Sequence, residues 1–236
     1  MTPDDPQHAA LRAALDEGDL TPVFQPIVNV GGDCLGFEAL NRFPNGCPPD
    51  AVWVLAQALG VAVALDTVAL TMAVRGAQSL PGTLFLNVSA AHLSNPTILE
   101  QFGLPDHLVW EVTESGIMTA AGFRGTRWLK DHGYRVAMDD AGAGYSTEDR
   151  LKQLRPDIVK LDICVVQRWG KGEGGPLRRW VAAARRIGAV VLAEGVEDPS
   201  WRVALAQEGV HAFQGYAFGK PAPAAVWLTQ LPISGG

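Results

Sequence analysis

Two adjacent carboxylates, Asp139 and Asp140, follow the short apolar run Val136–Met138 and are the first residues of this chain to suggest chemistry. A bounded apolar run of this length is typical of a buried strand. Two acids at the end of such a strand are costly unless a cation lies close to them. The pair therefore predicts a site where carboxylate oxygens meet positive charge.

Further polar residues lie within or at the end of other apolar runs. They are Glu38, Asn87, Glu111, Lys160, Glu194 and Gln214. Carboxylate and amide oxygens suit Mg²⁺ or Mn²⁺ rather than zinc. Five carboxylates and one amide are enough for two ions that share an aspartate, and such a pair can clamp a phosphate and activate water for in-line attack. One acid in a strand is more often a structural salt bridge or a cap, but that explanation fits poorly for so many successive strands.

The apolar runs alternate with helical stretches, which implies a parallel sheet with helices outside it. Strands are expected at 23–28, 34–40, 84–88, 108–113, 134–140, 157–162, 189–194 and 211–216. Helices are expected at 6–18, 48–59, 61–78, 91–102, 118–131, 147–154, 176–187 and 200–208. Eight strands in 236 residues favour a closed (β/α)8-type barrel, whose strands would bring their carboxyl-terminal polar residues to one mouth.

The first two strands depart from this regular pattern. The link between them is short and contains Gly31-Gly32, a turn signal. A parallel crossover needs a dozen or more residues. We therefore expect an antiparallel hairpin that makes the barrel irregular.

Composition limits the classes of protein and partner. Hydrophobic residues make up 47% of the chain and the formal net charge is −6, so a large core is available and a nucleic-acid polymer is a poor partner. The three cysteines suggest a reducing compartment. No apolar run reaches membrane-spanning length, and the first residues do not form a signal peptide, so a cytoplasmic protein without a membrane partner is expected. We expect a helical segment at 1–18 and a single barrel domain at 19–236.

At these residues the sequence resembles the EAL-domain family of cyclic-di-GMP phosphodiesterases. The matching motifs are Phe24–Val28, Glu38-Ala39-Leu40 with Arg42, Leu86–Ser89, Glu111–Glu114, Asp139-Asp140 with its glycine-rich loop, Val159–Asp162, Glu194–Glu197, Gln214–Tyr216 and Lys220-Pro221. Each motif is weak by itself, but together they run in order through nearly the whole chain. The family's fold is a modified (β/α)8 TIM-type barrel with an antiparallel first strand, in agreement with the expected hairpin.

The resemblance implies a two-metal site. Glu38, Asn87, Glu111 and Asp139 would hold one ion, and Asp139, Asp140 and Glu194 would hold or orient a second, with Mg²⁺ or Mn²⁺ as the metal. Lys160 would position the attacking water or stabilise developing charge, as a cation close to a phosphate does. Glu194 is also the candidate general base, and these two roles of Glu194 stay open. Glu38, Lys160 and Glu194 are thus the predicted catalytic residues.

The resemblance also implies the substrate and its contacts. The reaction would be hydrolysis of one phosphodiester bond of cyclic-di-GMP to the linear dinucleotide. The expected substrate-binding residues are Gln25, Leu40, Arg42, Asp162, Glu197 and Gln214, with Arg42 on a phosphate. Glu114 would hold the loop after the aspartate pair. Family members commonly form homodimers, and a homodimer is plausible here.

The chain departs from the family pattern at three positions. Ala141 and Ala143 stand where Phe and Thr are common, and His211 stands where an acid is common. The glycines of that loop are kept, so we expect altered loop dynamics rather than lost ligands. His211 is expected to be structural.

Two other functions compete with hydrolysis. The first is a catalytically silent cyclic-di-GMP receptor or interaction module, which would be expected to have lost metal ligands. The second is a barrel lyase that uses Lys160 as a Schiff-base amine. The surrounding carboxylates argue against the lyase, because they would hold Lys160 protonated.

Overall fold

The computed structural model describes residues 5–112, 119–143 and 148–230 of the chain. Within these residues, eight strands close into a barrel in the order of the sequence. The strands are β1 Thr21–Asn29, β2 Cys34–Arg42, β3 Thr83–Val88, β4 Leu108–Val112, β5 Arg135–Ala141, β6 Ile158–Leu161, β7 Val190–Ala193 and β8 Ala212–Gln214. The predicted (β/α)8-type barrel is confirmed.

The first strand runs against the rest of the sheet. β1 pairs in antiparallel fashion with both β2 and β8, whereas the other neighbouring strands are parallel. Gly32 takes a φ of 96° in the hairpin turn, a conformation that glycine adopts without steric cost. Gly36 allows β2 to approach β3 closely, since a Cβ there would overlap the Thr83 carbonyl. The expected antiparallel hairpin is therefore present.

Helices surround the barrel. They are α1 Pro6–Arg12, α2 Pro49–Ala58, α3 Ala62–Ala77, α4 Ala90–Ser94, α5 Ala120–Asp131, α6 Glu148–Leu154, α7 Ile163–Gly170, α8 Gly175–Ile187, α9 Trp201–Gln207 and α10 Ala224–Gln230. Short 3₁₀ turns lie at Pro44–Gly46, Pro96–Phe102 and Pro105–His107, and a π-helical turn at Ala13–Glu17 extends α1.

The sequence prediction was wrong at three helices. The single helix expected at 91–102 is divided, because Asn95 leaves the helical conformation before Pro96, as residues preceding proline tend to do. Helices α7 and α10 were not predicted. Asp162 caps α7 by accepting a hydrogen bond from the Cys164 amide at 2.8 Å, and such a cap is a recognisable start signal.

Two apolar layers hold the barrel together. The outer layer lies between sheet and helices and contains Trp110, whose ring contacts Phe102 and Tyr134. The inner layer closes the barrel axis with Ile27, Phe85, Val109, Ala137, Ile158, Leu192 and Ala212. This inner layer packs directly below the polar residues of the barrel mouth and supports them.

The amino-terminal helix packs beside the barrel. Ala10, Leu11 and Ala14 are buried in an apolar cluster with residues of α2 and α3. Gly18 ends this helical segment with a φ of 67°, as expected from its glycine. The division of the chain at residue 18 stays a prediction. No helix among the described residues is long and apolar enough to cross a membrane.

Candidate metal centre

A layer of polar side chains lies directly above the inner apolar layer. Side chains alternate along a strand, so residues two positions apart share a face. On each strand that contributes a residue to the inner apolar layer, a polar residue lies two positions from that apolar residue, on the side of the barrel mouth. The members are Gln25, Asn87, Glu111, Asp139, Lys160, Glu194 and Gln214, joined by Glu38 from β2. The barrel thus brings together the residues that the sequence pattern singled out.

Lys160 lies at the centre of this layer and is fully buried. Its Nζ atom lies 2.6 Å from Glu111 Oε1, 2.8 Å from Glu194 Oε1 and 3.0 Å from Asp139 Oδ1. A fourth carboxylate oxygen, Glu38 Oε2, lies at 3.5 Å. Four strands therefore direct acids at a single ammonium group.

Glu38, which lies near Lys160, is also contacted by amide side chains. Gln214 Nε2 donates to Glu38 Oε2 at 2.6 Å and to Gln25 Oε1 at 3.0 Å. Gln25 Nε2 donates to the Gly219 carbonyl at 3.0 Å, and Asn87 Nδ2 approaches Glu38 Oε1 at 3.5 Å. Because an amide donates through nitrogen and accepts through oxygen, this network fixes the orientation of Glu38.

The electrostatics show that one ammonium group does not balance the acids. Burial, with the Glu38 carboxylate, raises the pKa of Glu111 well above its usual value, and Lys160 opposes this effect. Burial raises the pKa of Glu194 to about 8, again against Lys160. Burial would by itself lower the pKa of Lys160, but the surrounding carboxylates, led by Asp139, raise it well above its usual value. Lys160 therefore stays protonated, which removes the free amine that the lyase alternative requires.

The residues fit a divalent cation. Glu111 Oε2 is buried without a hydrogen bond from any described residue, and Glu111 Oε1 and Asp139 Oδ1 share the Lys160 ammonium with Glu194. Asp139, Asp140 and Glu194 can each present an oxygen so that the three atoms lie within 4.8 Å of one another. Buried, unsatisfied carboxylate oxygens are the ligands that hard cations such as Mg²⁺ and Mn²⁺ select.

Asp140 reaches this cluster through an unusual backbone conformation. In a regular strand, Asp140 would point away from Asp139. Instead the pairing of β5 with β6 shifts register between Met138 and Ala141, and Asp140 takes a φ of 53°. Asp tolerates this left-handed region better than most residues. The deviation from regular pairing is what places two adjacent acids in one cluster.

The other predicted site residues lie around the mouth or elsewhere. Leu40 shares a face of β2 with Glu38 and is half-buried. Arg42 is exposed and donates to the Asn41 carbonyl at 3.0 Å. Asp162 caps α7, and Glu197 is exposed after β7. Their contacts with substrate stay predictions, and Glu114 lies outside the described residues.

The departure from the family pattern at His211 has a structural explanation. His211 accepts a hydrogen bond from the Val191 amide through Nδ1 at 3.1 Å, at the amino end of β8, so the expectation of a structural role agrees with its position. Sequence reasoning missed a buried histidine, His92, because a lone histidine after an N-capping serine carries no strong signal.

Comparison with known proteins gives a consistent result. A family model described as the EAL domain matches residues 8–221. The cyclic di-GMP phosphodiesterase RocR of Pseudomonas aeruginosa is 29% identical over 240 residues, covering 92% of this chain and 61% of RocR. The solved structure of the PaMucR phosphodiesterase in complex with c-di-GMP aligns with a TM-score of 0.81 and 27% identity, covering 94% of this chain and 99% of that one.

A second solved structure contains a metal. It is BlrP1 of Klebsiella pneumoniae in a manganese and cy-diGMP complex, with a TM-score of 0.74 and 27% identity over 86% of this chain and 56% of that one. The chain spans less than two thirds of the length of the first curated relatives that it matches.

Proposed function

The chain belongs to the family of EAL domains, and from that premise we propose that it hydrolyses one phosphodiester bond of cyclic-di-GMP to the linear dinucleotide with Mg²⁺ or Mn²⁺. The observation that carries this proposal is the excess of buried carboxylates around Lys160. Removing this many carboxylates from water costs free energy, and they also repel one another. Bound cations would offset both effects. Phosphodiester hydrolysis is the chemistry that such a site favours.

We assign the ligands of two ions to this cluster. Glu38, Asn87, Glu111 and Asp139 would hold the first ion, and Asp139, Asp140 and Glu194 the second. Two divalent ions there would supply Lewis-acid stabilisation of the phosphoryl oxygens and a lowered pKa for bound water. The unsatisfied Glu111 Oε2 and the crowding of carboxylates around Lys160 support this assignment.

The protein's own groups would then complete the reaction. Glu194 would accept the proton of the attacking water through a carboxylate oxygen, while the phosphorus–oxygen bond to one ribose breaks and the released ribose oxygen takes a proton from solvent. The Lys160 ammonium, already fixed by its carboxylates, would stabilise charge on the reacting phosphate. Arg42, which is exposed at the end of β2, would contact the other phosphate through its guanidinium. Gln25, Leu40, Asp162, Glu197 and Gln214 would form the remaining substrate contacts.

Hydrolysis and silent binding predict different products. The purified chain, freed of metal with a chelator, is incubated with cyclic-di-GMP and Mg²⁺ or Mn²⁺, and the linear dinucleotide is followed by chromatography. We expect product only when the metal is present. Glu38→Ala should abolish it, whereas Glu173→Ala, which removes an exposed carboxylate paired with Arg168, should not.

Two results would count against this function. Binding of cyclic-di-GMP without turnover in either metal would exclude the enzyme and leave the receptor. Full activity of folded Glu38→Ala would show that the metal assignment is wrong. We also propose a cytoplasmic homodimer, for which sedimentation of the purified chain gives the oligomeric state.

A further inference from the structure

A buried polar network lies behind the strand that carries Asn87. His92 on α4 is 1% exposed, and both of its ring nitrogens have polar neighbours. Nδ1 lies 3.3 Å from Asp66 Oδ2 and 3.3 Å from Ser89 Oγ, while Nε2 lies 3.3 Å from Thr67 Oγ1. Asp66 and Thr67 belong to α3, so this ring connects α3 to the exit of β3.

The hydrogen bonds of Thr67 define one of these contacts. Its hydroxyl donates to the Val63 carbonyl at 2.8 Å, which uses its only proton. Thr67 Oγ1 therefore accepts from His92, and Nε2 is the donor. In the neutral ring Nδ1 then accepts from the Ser89 hydroxyl, and in the protonated ring it donates to the Asp66 carboxylate, so both ring nitrogens have a partner.

The network reaches the backbone two residues beyond Asn87. Ser89 caps α4, and its Oγ accepts from the His92 amide at 3.4 Å while it contacts the ring. The Asn87 side chain is itself exposed, and its Nδ2 contact with Glu38 is long at 3.5 Å. The position of the Asn87 amide therefore depends on how firmly the end of β3 is held.

We propose that His92, held by Asp66 and Thr67, is a positioning residue that sets the Asn87 oxygen for metal binding. This inference rests on the metal centre of the proposed function. Groups that hydrogen-bond a metal ligand typically change metal affinity by about 10- to 100-fold when they are lost. His92 acts one step further away, through Ser89 and the backbone of β3, so we expect an effect at the low end of that range. The described hydrogen bonds of the network include none to the carboxylates around Lys160, so we expect its effect on the metal centre to pass through the end of β3, which carries Asn87.

Metal binding tests the proposal without any hydrolysis. The affinity of the chelator-treated protein for Mn²⁺ is measured by calorimetry, and the Asn87 side-chain amide is followed by NMR in the metal-free protein. We expect His92→Leu to weaken Mn²⁺ binding by about 10-fold and to shift the Asn87 amide signals. His92→Gln, which can both donate and accept, should restore most of the affinity.

A matched control separates positioning from general loss of packing. Thr126→Val removes a buried hydroxyl whose one hydrogen bond among the described residues is to the Gly122 carbonyl of its own helix, and it should leave Mn²⁺ affinity unchanged. Asp66→Leu, which keeps a similar side-chain shape but neither donates nor accepts a hydrogen bond, provides a second variant if His92→Leu does not fold. It should weaken Mn²⁺ binding in the same direction.

The possible results separate the positioning role of His92 from the proposed phosphodiesterase activity. Wild-type Mn²⁺ affinity in folded His92→Leu or Asp66→Leu would overturn the positioning role, whatever the activity. An equal loss in Thr126→Val would also overturn it. Tight Mn²⁺ binding by the wild type without hydrolysis would contradict only the phosphodiesterase, and absence of Mn²⁺ binding in the wild type would overturn both.

Discussion

The Nζ atom of Lys160 lies 2.6 Å from Glu111 Oε1, and both side chains are fully buried in the barrel. Burial of a charged pair is favourable only when the geometry is good and other groups satisfy the remaining atoms. Here Glu111 Oε2 stays unsatisfied, and three more carboxylates share the same ammonium. Lys160 is therefore the cation that holds the metal-free cluster together.

Removal of this cation should destabilise the metal-free protein. Lys160→Met keeps the length of the side chain but leaves the acids without their ammonium partner. We expect a loss of about 3–5 kcal/mol in the free energy of unfolding, measured by urea denaturation in chelator at pH 8. The loss should be smaller at pH 5, where the acids can bind protons.

An exposed lysine provides the control for that variant. Lys152→Met removes a surface pair with Asp149, and we expect its stability to stay within about 0.5 kcal/mol of the wild type. If Lys160→Met were as stable as Lys152→Met at pH 8, Lys160 would not be the stabilising cation.

Two substitutions of Asp140 should separate the effect of backbone strain from the effect of metal binding. Asp140→Asn keeps a residue that tolerates a φ of 53° but removes the charge, so we expect near-normal stability and weaker Mn²⁺ binding. Asp140→Val places a β-branched residue at this φ, and we expect it to cost about 1–3 kcal/mol of stability as well. Thermal unfolding and Mn²⁺ calorimetry on both variants measure the two effects. Equal stability of the two variants would contradict the role of the left-handed conformation.

Glu194 should make metal-free stability depend on pH. Burial raises the pKa of Glu194 from its usual value near 4.5 to about 8 in the folded protein. Because the folded state binds this proton more tightly, the stabilising contribution is complete below about pH 4.5 and is lost as pH rises through about 8. In chelator, we therefore expect the Tm to fall between pH 5.5 and about 8.5.

A divalent cation should oppose that fall. A cation and a proton compete for the same carboxylate, so stabilisation by Mg²⁺ should grow with pH over this range. Glu194→Gln should flatten the pH dependence in chelator. If the Tm had the same pH dependence in Mg²⁺, in chelator and in Glu194→Gln, then Glu194 would not be the titrating group.

Much of the site could be predicted because the barrel obeys simple periodic rules. An apolar residue followed two positions later by a polar one marks the same face of a strand, as in Val109 with Glu111 and Ile158 with Lys160. Closure in sequence order then brings these positions to one mouth. The hairpin could also be predicted from the length of the link between β1 and β2, because that link is too short for a parallel crossover.

Three features required the tertiary structure. The left-handed conformation of Asp140 depends on the register shift between β5 and β6, which no local pattern encodes. The position of Lys160 among four acids depends on strands that are far apart in sequence. The contact of His92 with Asp66 joins two helices across 26 residues.

The sequence by itself determined which residues face the barrel interior, because the alternation of side chains along a strand is a local property. Only the tertiary structure decided how those residues meet, because distances between side chains depend on strand register, barrel closure and burial. Asp139 and Asp140 show both: their types were evident from the sequence, and their convergence with Glu194 was fixed by the register shift.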